Sequence, residues 1–196
     1  MTIHTIGDSH STKKHGSWPD WVVDHHLGPL LCYSFGNREN DITMYGIHDS
    51  DTVIFALGEI DCRCHVHKHI NGDMTYRVII DSLINNYVKA INHLIQKLQV
   101  RVCIYNVVPP SKTDTVLYDP HDELHPVGDD EERKKYVLYF NSKLKEHCVN
   151  NDFTFFDIYD KYSDEAGFLK RELSDGNVHI GDGIFIREFL EHYLNK

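Results

Sequence analysis

The chain has 196 residues, 41% apolar and 26% charged, with 30 acidic and 20 basic residues and a formal net charge of −10. This length suits one domain over residues 1–196, and the composition is too apolar for a disordered protein. The negative charge repels phosphate backbones and anionic lipids, so we expect neither nucleic acid nor a membrane as partner. Five cysteines without a disulfide-like framework, and an N-terminus without the basic and apolar regions of a signal peptide, predict a reduced, cytoplasmic protein.

Short apolar runs alternate with segments of helical periodicity along the chain. In chain order they predict a strand at 2–6, a strand at 52–57, a helix at 76–98, a strand at 100–108, a helix at 131–148, a strand at 153–158 and a helix at 184–194. Continuous apolar strands suit a parallel sheet that is covered on both faces. The alternation of strands and helices therefore predicts an α/β fold, a three-layer α/β/α sandwich with a central parallel sheet.

One long segment, residues 111–130, shows neither strand nor helix periodicity. Loops of this length inside compact domains are often functional. We expect this loop to cross the edge of the sheet formed by the carboxyl ends of the strands, where open α/β sheets bind their ligands.

The sequence GDSHS, residues 7–11, follows the first predicted strand. A glycine allows a sharp turn there, and Ser9 would then lie at the end of the strand. If a helix follows, free N–H groups near Ser9 favour a developing oxyanion. The alternative is that Asp8 or Ser9 only caps that helix.

Near the other end of the chain, SDGNVH, residues 174–179, precedes the last predicted helix. A serine nucleophile needs an imidazole that accepts its proton, and the imidazole needs a carboxylate that fixes its tautomer. His179 and Asp175 can supply these two groups. With 15 histidines in the chain, however, chance pairs of this kind are common.

The third polar segment is FALGEIDCRCH, residues 55–65, at the end of the second predicted strand. Glu59, Asp61 and Arg63 are placed where they could act on a substrate. The alternative is that Arg63 and Glu59 form an ion pair that only ties down the loop.

Together these three segments resemble the SGNH (GDSL-like) hydrolases, and the third is similar to a subgroup whose block reads Gly-Glu-Ile-Asp-Cys-Arg and which is found among polysaccharide-related proteins. The resemblance implies a flavodoxin-like fold without a cofactor, in which Ser9 is the nucleophile and, through its N–H, an oxyanion donor. It also implies that His179 is the general base and Gly28 the second oxyanion glycine, with Gly36 as the alternative.

Two positions depart from the family pattern. The oxyanion Asn of the third block falls on Ile60, whose side chain has no donor. The Asp of the Asp-x-x-His block falls on Gly176, with Asp175 one position too early. Either the loop bulges and brings Asp175 to His179, or another group orients His179, or the chain is a degenerate member of the family. Arg63 either acts on the oxyanion or a substrate oxygen in place of the missing amide, or it pairs with Glu59 or Asp61 and never contacts the substrate.

A metal site is the rival interpretation of the cysteine- and histidine-rich segment 62–69, because thiolates and imidazoles bind zinc. Its spacing, C-x-C-H-x-H-x-H, lacks the usual C-x₂₋₄-C and H-x₃₋₅-H pattern. We therefore expect no metal.

The expected activity is that of a serine esterase, which removes an acyl group such as acetyl from a carbohydrate and has a small-molecule or glycan ester as its partner. Acyl transfer to a sugar hydroxyl would use the same catalytic groups. A non-catalytic glycan-binding or scaffold protein is the alternative from another class.

Overall fold

The computed structural model describes residues 1–37, 41–116 and 124–194. Five strands form one parallel sheet, in the order β2-β1-β3-β4-β5. They are β1 (Ile3–Gly7), β2 (Val23–His26), β3 (Thr52–Ala56), β4 (Arg101–Tyr105) and β5 (Thr154–Phe156). All four strands that the sequence predicts are present, and the longest of them, 100–108, is shortened the most.

The sequence did not predict β2, because its residues, VDHH, contain no apolar run. This strand forms the edge of the sheet and pairs with β1 alone, through Val23 opposite His4 and His26 opposite Gly7. An edge strand whose residues are exposed or half-buried is held by its backbone ladder and needs little apolar surface.

The three predicted helices are confirmed, and two short ones are added. The helices are α1 (Cys32–Gly36), α2 (Tyr76–Leu94), α3 (Asp130–Asn150), α4 (Tyr159–Tyr162) and α5 (Ile184–Phe189), which continues as a π-helical turn, Leu190–Leu194. The longest, α3, begins with a capping box in which Asp129 and Glu132 bind each other's backbone N–H groups. Both added helices are shorter than two turns, so no periodicity in the sequence could reveal them.

Side chains that alternate along β3 face two separate cores. Val53 and Phe55 belong to the core that α1, α2 and α3 cover, whereas Ile54 and Ala56 belong to the core beneath α5. The sheet is therefore covered on both faces, which confirms the predicted three-layer α/β/α architecture. No helix within the described residues is long and apolar enough to cross a membrane.

The strand order determines where a site can form. From β1 the chain passes outward to β2, whereas β3 lies on the other side of β1 and leads on to β4 and β5. Connections that leave neighbouring strands in opposite directions open a crevice at the carboxyl ends of those strands, here β1 and β3.

The long segment 111–130 is described only at its ends, because residues 117–123 lie outside the described part. At one end Ser111 Oγ donates to the backbone oxygen of Asn177, 2.9 Å away. At the other end the backbone oxygen of Leu124 accepts hydrogen bonds from Arg63 and Cys64. One described end therefore contacts the segment 174–179, and the other contacts the segment 55–65.

The close approach of β1 to β3 yields the first prediction. A Cβ on Gly7 would lie 1.9 Å from the backbone oxygen of Ala56, so Gly7→Ala must push the two strands apart. We expect a loss of unfolding free energy at or above the upper end of the roughly 1–3 kcal/mol typical of overpacking.

Gly46→Ala is the matched control, since Gly46 has a φ of 70° but no neighbour within 4 Å of the point that a Cβ would occupy. Its cost should be only the roughly 1–2 kcal/mol of left-handed backbone. Chemical denaturation measures both variants, and equal losses would contradict the steric argument.

Candidate active site

Ser9 lies directly beyond β1 in a 3₁₀ turn, Ser9–Ser11. The turn is held by Asp8, whose side chain accepts the N–H of His10 at 2.9 Å, and by Ser11 Oγ, which donates to the backbone oxygen of Asp8 at 2.8 Å. Asp8 is thus the capping residue, and the half-buried Ser9 hydroxyl is left for another partner. Only this single turn follows Ser9, and not a longer helix, so a helix dipole contributes little there.

That partner is His179, from the far end of the chain. His179 Nε2 lies 2.9 Å from Ser9 Oγ, and His179 Nδ1 lies 3.0 Å from Asp175 Oδ2. A carboxylate accepts only, so Nδ1 carries the ring proton and Nε2 is free to accept the proton of the serine hydroxyl. The structure therefore brings Ser9, His179 and Asp175 into one hydrogen-bonded series.

The loop that carries Asp175 and His179 accommodates the extra residue between them. Asp175 N–H donates to the backbone oxygen of His179 at 3.0 Å, and Asp175 Oδ1 accepts the N–H of Asn177 at 2.9 Å. Gly176 takes the left-handed conformation with a φ of 87°, which a glycine adopts without strain. The bulge that the sequence offered as one alternative is thus a closed turn that directs both side chains to one side.

A residue that sequence reasoning missed joins the same carboxylate. His15 Nδ1 lies 2.9 Å from Asp175 Oδ2, and the His15 ring stacks on the His179 ring with centroids 3.7 Å apart and planes inclined by 12°. His15 lies six residues beyond Ser9, but nothing distinguishes it from the chain's other histidines in the sequence.

The surroundings of His179 favour its neutral form. Burial, followed by repulsion from His10 and His15, lowers its pKa to about 4 against the attraction of Asp175. At neutral pH the ring is therefore uncharged, as a group that accepts a proton from Ser9 must be.

A second buried cluster lies beside His10. Arg63 Nε donates to Glu59 Oε1 at 2.6 Å and Arg63 Nη2 to Glu59 Oε2 at 3.1 Å, while His10 Nε2 lies 3.6 Å from Glu59 Oε2. Burial opposes all these charges, but Arg63 and His10 hold the pKa of Glu59 well below its usual range. The same burial works against charge on His10, whose pKa Glu59 and Asp8 nevertheless raise.

These contacts bear on the predicted roles of Arg63 and Glu59. The ion pair that the sequence offered as the structural alternative is present, and Arg63 Nη1 also donates to the backbone oxygen of Leu124. A role for the guanidinium at the oxyanion stays a prediction, as does one for Glu59 at the substrate.

The glycine candidates occupy different environments. Gly28 lies in the loop between β2 and α1, with a φ of 79° and open space where a Cβ would lie. Gly36 ends α1, where a Cβ would lie 3.0 Å from Asn86 Cβ on α2, so it serves helix packing. Gly28 therefore remains the candidate at the edge of the sheet.

Asp61 holds the start of α1 by accepting the N–H of Cys32 at 2.7 Å, and burial raises the pKa of this carboxyl to about 6.

Ile60, the position of the missing Asn, is buried in the protein interior. Its side chain has no polar atom, so any second donor at the oxyanion comes from another residue. Ser9 N–H and Gly28 N–H are the predicted backbone donors, and these assignments stay predictions.

Among the described residues, the potential metal ligands that lie close together are not those of the cysteine- and histidine-rich segment 62–69. Cys62 and Cys64 are buried, and burial raises the pKa of the Cys62 thiol well above its usual value, which disfavours a thiolate ligand. The described group whose ligand atoms lie within 4.8 Å of one another is His15, Asp175 and His179. The two rings are stacked with planes inclined by 12°, and both Nδ1 atoms lie at hydrogen-bonding distance from Asp175 Oδ2.

No family model matches the sequence, and no curated protein is significantly similar to it. Solved structures do resemble it. A Bacteroides fragilis NCTC 9343 protein assigned as an acylhydrolase is 16% identical, with a TM-score of 0.67 over 98% of this chain and 85% of that one.

A GDSL-like lipase from Bacteroides thetaiotaomicron VPI-5482 is 15% identical, with a TM-score of 0.65 over 97% and 85% of the two chains. A catalytic mutant of the acetylxylan esterase Axe2 from Geobacillus stearothermophilus is 13% identical, with a TM-score of 0.60 over 97% and 92%. At these identities the likeness shows the fold alone, and that fold is the α/β fold of the SGNH and GDSL-type hydrolases.

The lowered pKa of His179 predicts a stability change with pH. An unfolded histidine binds its proton near pH 6.5, whereas the folded His179 binds it only near pH 4. The unfolded chain therefore binds more protons in this window, and the free energy of unfolding falls as the pH falls, by up to about 3 kcal/mol from this residue.

Thermal unfolding between pH 7 and 4.5 measures the effect. We expect His179→Asn to lose less stability over this range than the wild type. His192→Asn, at an exposed position near the C-terminus, should behave as the wild type. A His179→Asn profile as steep as that of the wild type would refute the prediction.

A third prediction concerns the Glu59–Arg63 pair, whose side chains are only 10% and 12% exposed. Arg63→Ala leaves Glu59 without its principal countercharge, and removing one partner of a buried pair costs about 3–5 kcal/mol. Arg77→Ala, at an exposed position on α2, should change the free energy of unfolding by about 0.5 kcal/mol or less.

Denaturant titration of both variants checks this expectation, and an Arg63→Ala protein as stable as Arg77→Ala would contradict it. The kinetics of Arg63→Ala separate its two candidate roles. A lower kcat would place the guanidinium at the transition state, whereas unchanged kcat and KM would leave the ion pair as its function.

Proposed function

We propose that this chain is a serine ester hydrolase whose nucleophile is Ser9. The observation that carries the proposal is the series Asp175–His179–Ser9, with contacts of 3.0 and 2.9 Å between side chains from opposite ends of the sequence. A nucleophile, a base and a group that orients the base are the minimum that acyl transfer through a serine requires.

In the proposed reaction His179 Nε2 takes the proton of Ser9 as Oγ attacks the ester carbonyl. The carbonyl oxygen becomes an oxyanion, which the N–H groups of Ser9 and Gly28 stabilise. Collapse of this intermediate breaks the ester bond, and His179 returns its proton to the departing alcohol. Water, deprotonated by His179, then attacks the acyl-enzyme. As the bond between Oγ and the acyl carbon breaks, the acid leaves and His179 returns this proton to Ser9 Oγ. Each of these steps uses side chains and backbone of the chain itself, so the proposal includes no cofactor.

An acyl group on a carbohydrate is the proposed substrate, as a small molecule or as part of a glycan. A cavity of about 460 Å³ lies between the start of α1, the π-helical turn Asp61–His65 and the first turns of α2, and Ser9, His179 and Asp175 are not among the residues that line it. Tyr33, His65 and Asn71 give it polar groups, and Met74 and Leu83 give it apolar surface. Such a mixture suits a sugar that carries a short acyl group. The similarity to an acetylxylan esterase supports the same substrate class.

The exposure of the Asp175 and His179 side chains favours hydrolysis over acyl transfer to a sugar. The Asp175 and His179 side chains are 18% and 13% exposed, so water can reach an acyl group on Ser9. A non-catalytic glycan-binding protein would not need Ser9 and His179 within hydrogen-bonding distance. We also propose that the protein works in a reducing, cytoplasmic compartment, since its five cysteines are free and buried thiols.

Replacement of the nucleophile tests the proposal directly. We expect the wild type to cleave p-nitrophenyl acetate and Ser9→Ala to lose several orders of magnitude in kcat, because loss of a triad nucleophile costs about 10⁴–10⁶. Ser142→Ala, at an exposed position on α3, is the matched control and should retain wild-type kinetics.

Mass spectrometry of the protein after quenching should find the acetyl group on the peptide that contains Ser9. Unchanged turnover in a folded Ser9→Ala protein would refute the serine mechanism. Release of acetate from an acetylated oligosaccharide, compared with transfer to added sugar, distinguishes hydrolysis from the alternative reaction.

A further inference from the structure

His15 occupies a position in this site that the proposed reaction does not require. A serine triad uses one imidazole and one carboxylate. Here the same oxygen, Asp175 Oδ2, lies 2.9 Å from His15 Nδ1 and 3.0 Å from His179 Nδ1. Because a carboxylate oxygen has two lone pairs, it can accept both N–H groups at once.

The backbone around His15 is constrained, so this contact does not depend on a freely moving side chain. His15 ends the 3₁₀ turn Lys13–His15, and Thr12 caps this turn by accepting the N–H of Lys14. Gly16, the next residue, has a φ of 83°, and a Cβ there would lie 2.9 Å from the backbone oxygen of Gly181. The segment that carries His15 is thus packed against the segment that follows His179.

Asp175 has a particular need for a second anchor. It lies four residues before His179, and its loop bonds hold Oδ1, which accepts the N–H groups of Asn177 and His179 at 2.9 and 3.3 Å. Apart from the catalytic imidazole, the described contact that holds Oδ2 is His15. Without His15, His179 would be the one described partner that holds Oδ2 and limits rotation of the carboxylate.

We propose that His15 is a positioning residue that fixes the Asp175 carboxylate against His179 and thereby sets the pH range in which His179 acts as a base. This inference rests on the proposed serine mechanism and adds to it a second histidine. His15 does not touch Ser9 in this scheme and acts through Asp175.

The direction of the effect follows from the groups that face His179, namely Ser9, His10, His15 and Asp175. A hydrogen bond from the N–H of His15 partly neutralises the carboxylate of Asp175. The carboxylate then stabilises a protonated His179 less. A positive charge on His15 would also repel one on the stacked ring. Both effects keep His179 unprotonated to lower pH, in agreement with the lowering of its pKa by His15.

A bound metal ion is the other use of two imidazoles and a carboxylate. Here both Nδ1 atoms lie at hydrogen-bonding distance from Asp175 Oδ2, and the two rings are stacked with planes inclined by 12°. The shared carboxylate explains the arrangement without an ion, and titration with zinc separates the two uses.

Two substitutions separate the ring of His15 from its N–H group. His15→Phe keeps a stacking ring without the donor, whereas His15→Asn places an amide N–H near the position of Nδ1. With p-nitrophenyl acetate we expect His15→Phe to lower kcat/KM about 10- to 100-fold, the value of one hydrogen bond to a charged group. His15→Asn should stay within about threefold of the wild type, and so should His48→Phe, at an exposed position before β3.

The pH profile of kcat/KM distinguishes positioning from a general structural role. In His15→Phe the acid limb should move upward by about one pH unit, the equivalent of roughly a tenfold change in proton affinity. A residue that served only stability would lower the amount of folded protein without moving this limb. An unmoved limb, or equal kinetics of the Phe and Asn variants, would overturn the proposal.

Nuclear magnetic resonance tests the shared carboxylate without any turnover. In the inactive Ser9→Ala protein, we expect Asp175→Asn to shift the ring ¹⁵N signals of both His15 and His179. A shift confined to His179 would refute the shared carboxylate even if the esterase activity is real, whereas absent esterase activity with both signals shifted would refute only the proposed function. If micromolar Zn²⁺ shifts both rings of the wild type and abolishes its activity, the pair is a metal site and the positioning role is overturned.

Discussion

The structure depends on the close approach of β1 and β3 at their carboxyl ends. Gly7 comes so near to Ala56 that no side chain fits between them, and Asp8 N–H donates to the backbone oxygen of Ala56 at 3.2 Å. The chain leaves β1 toward one side of the sheet and β3 toward the other, which opens a crevice at the carboxyl ends of these two strands. The residues that follow Gly7 therefore lie at this crevice. Ser9 is presented there by a single 3₁₀ turn, which the side chains of Asp8 and Ser11 hold in place.

The titratable groups near Ser9 form two clusters, and these differ in whether burial leaves the central group charged or neutral. In one, Glu59 is surrounded by Arg63 and His10 and keeps its charge in spite of burial. In the other, Asp175 is shared by His15 and His179, and His179 stays neutral. His10 lies between the clusters, with its ring centroid 4.8 Å from that of His179. After burial, repulsion from His10 is the next cause that lowers the pKa of the His179 ring.

The departures from the family pattern have different structural outcomes. The shifted aspartate is accommodated by the left-handed Gly176 and by the contacts of Asp175 within its own loop. For the missing amide at Ile60 the predicted replacement is Arg63, on the turn that follows, whose guanidinium is also bonded to Glu59 and Leu124. Loop geometry can absorb one inserted residue, whereas a lost donor must be supplied by another group that reaches the same point.

The sequence alone determined the alternation of apolar strands and amphipathic helices, and with it the layered α/β fold, because both periodicities are local. It also indicated Ser9, His179 and Asp175, since turn residues and a resemblance to known motifs mark them. Only the tertiary structure decided that β2 pairs at the edge, that Glu59 is bonded to Arg63, and that His15 shares the carboxylate of Asp175. These facts depend on which side chains meet through space, and among 15 histidines no local pattern distinguishes the one that does.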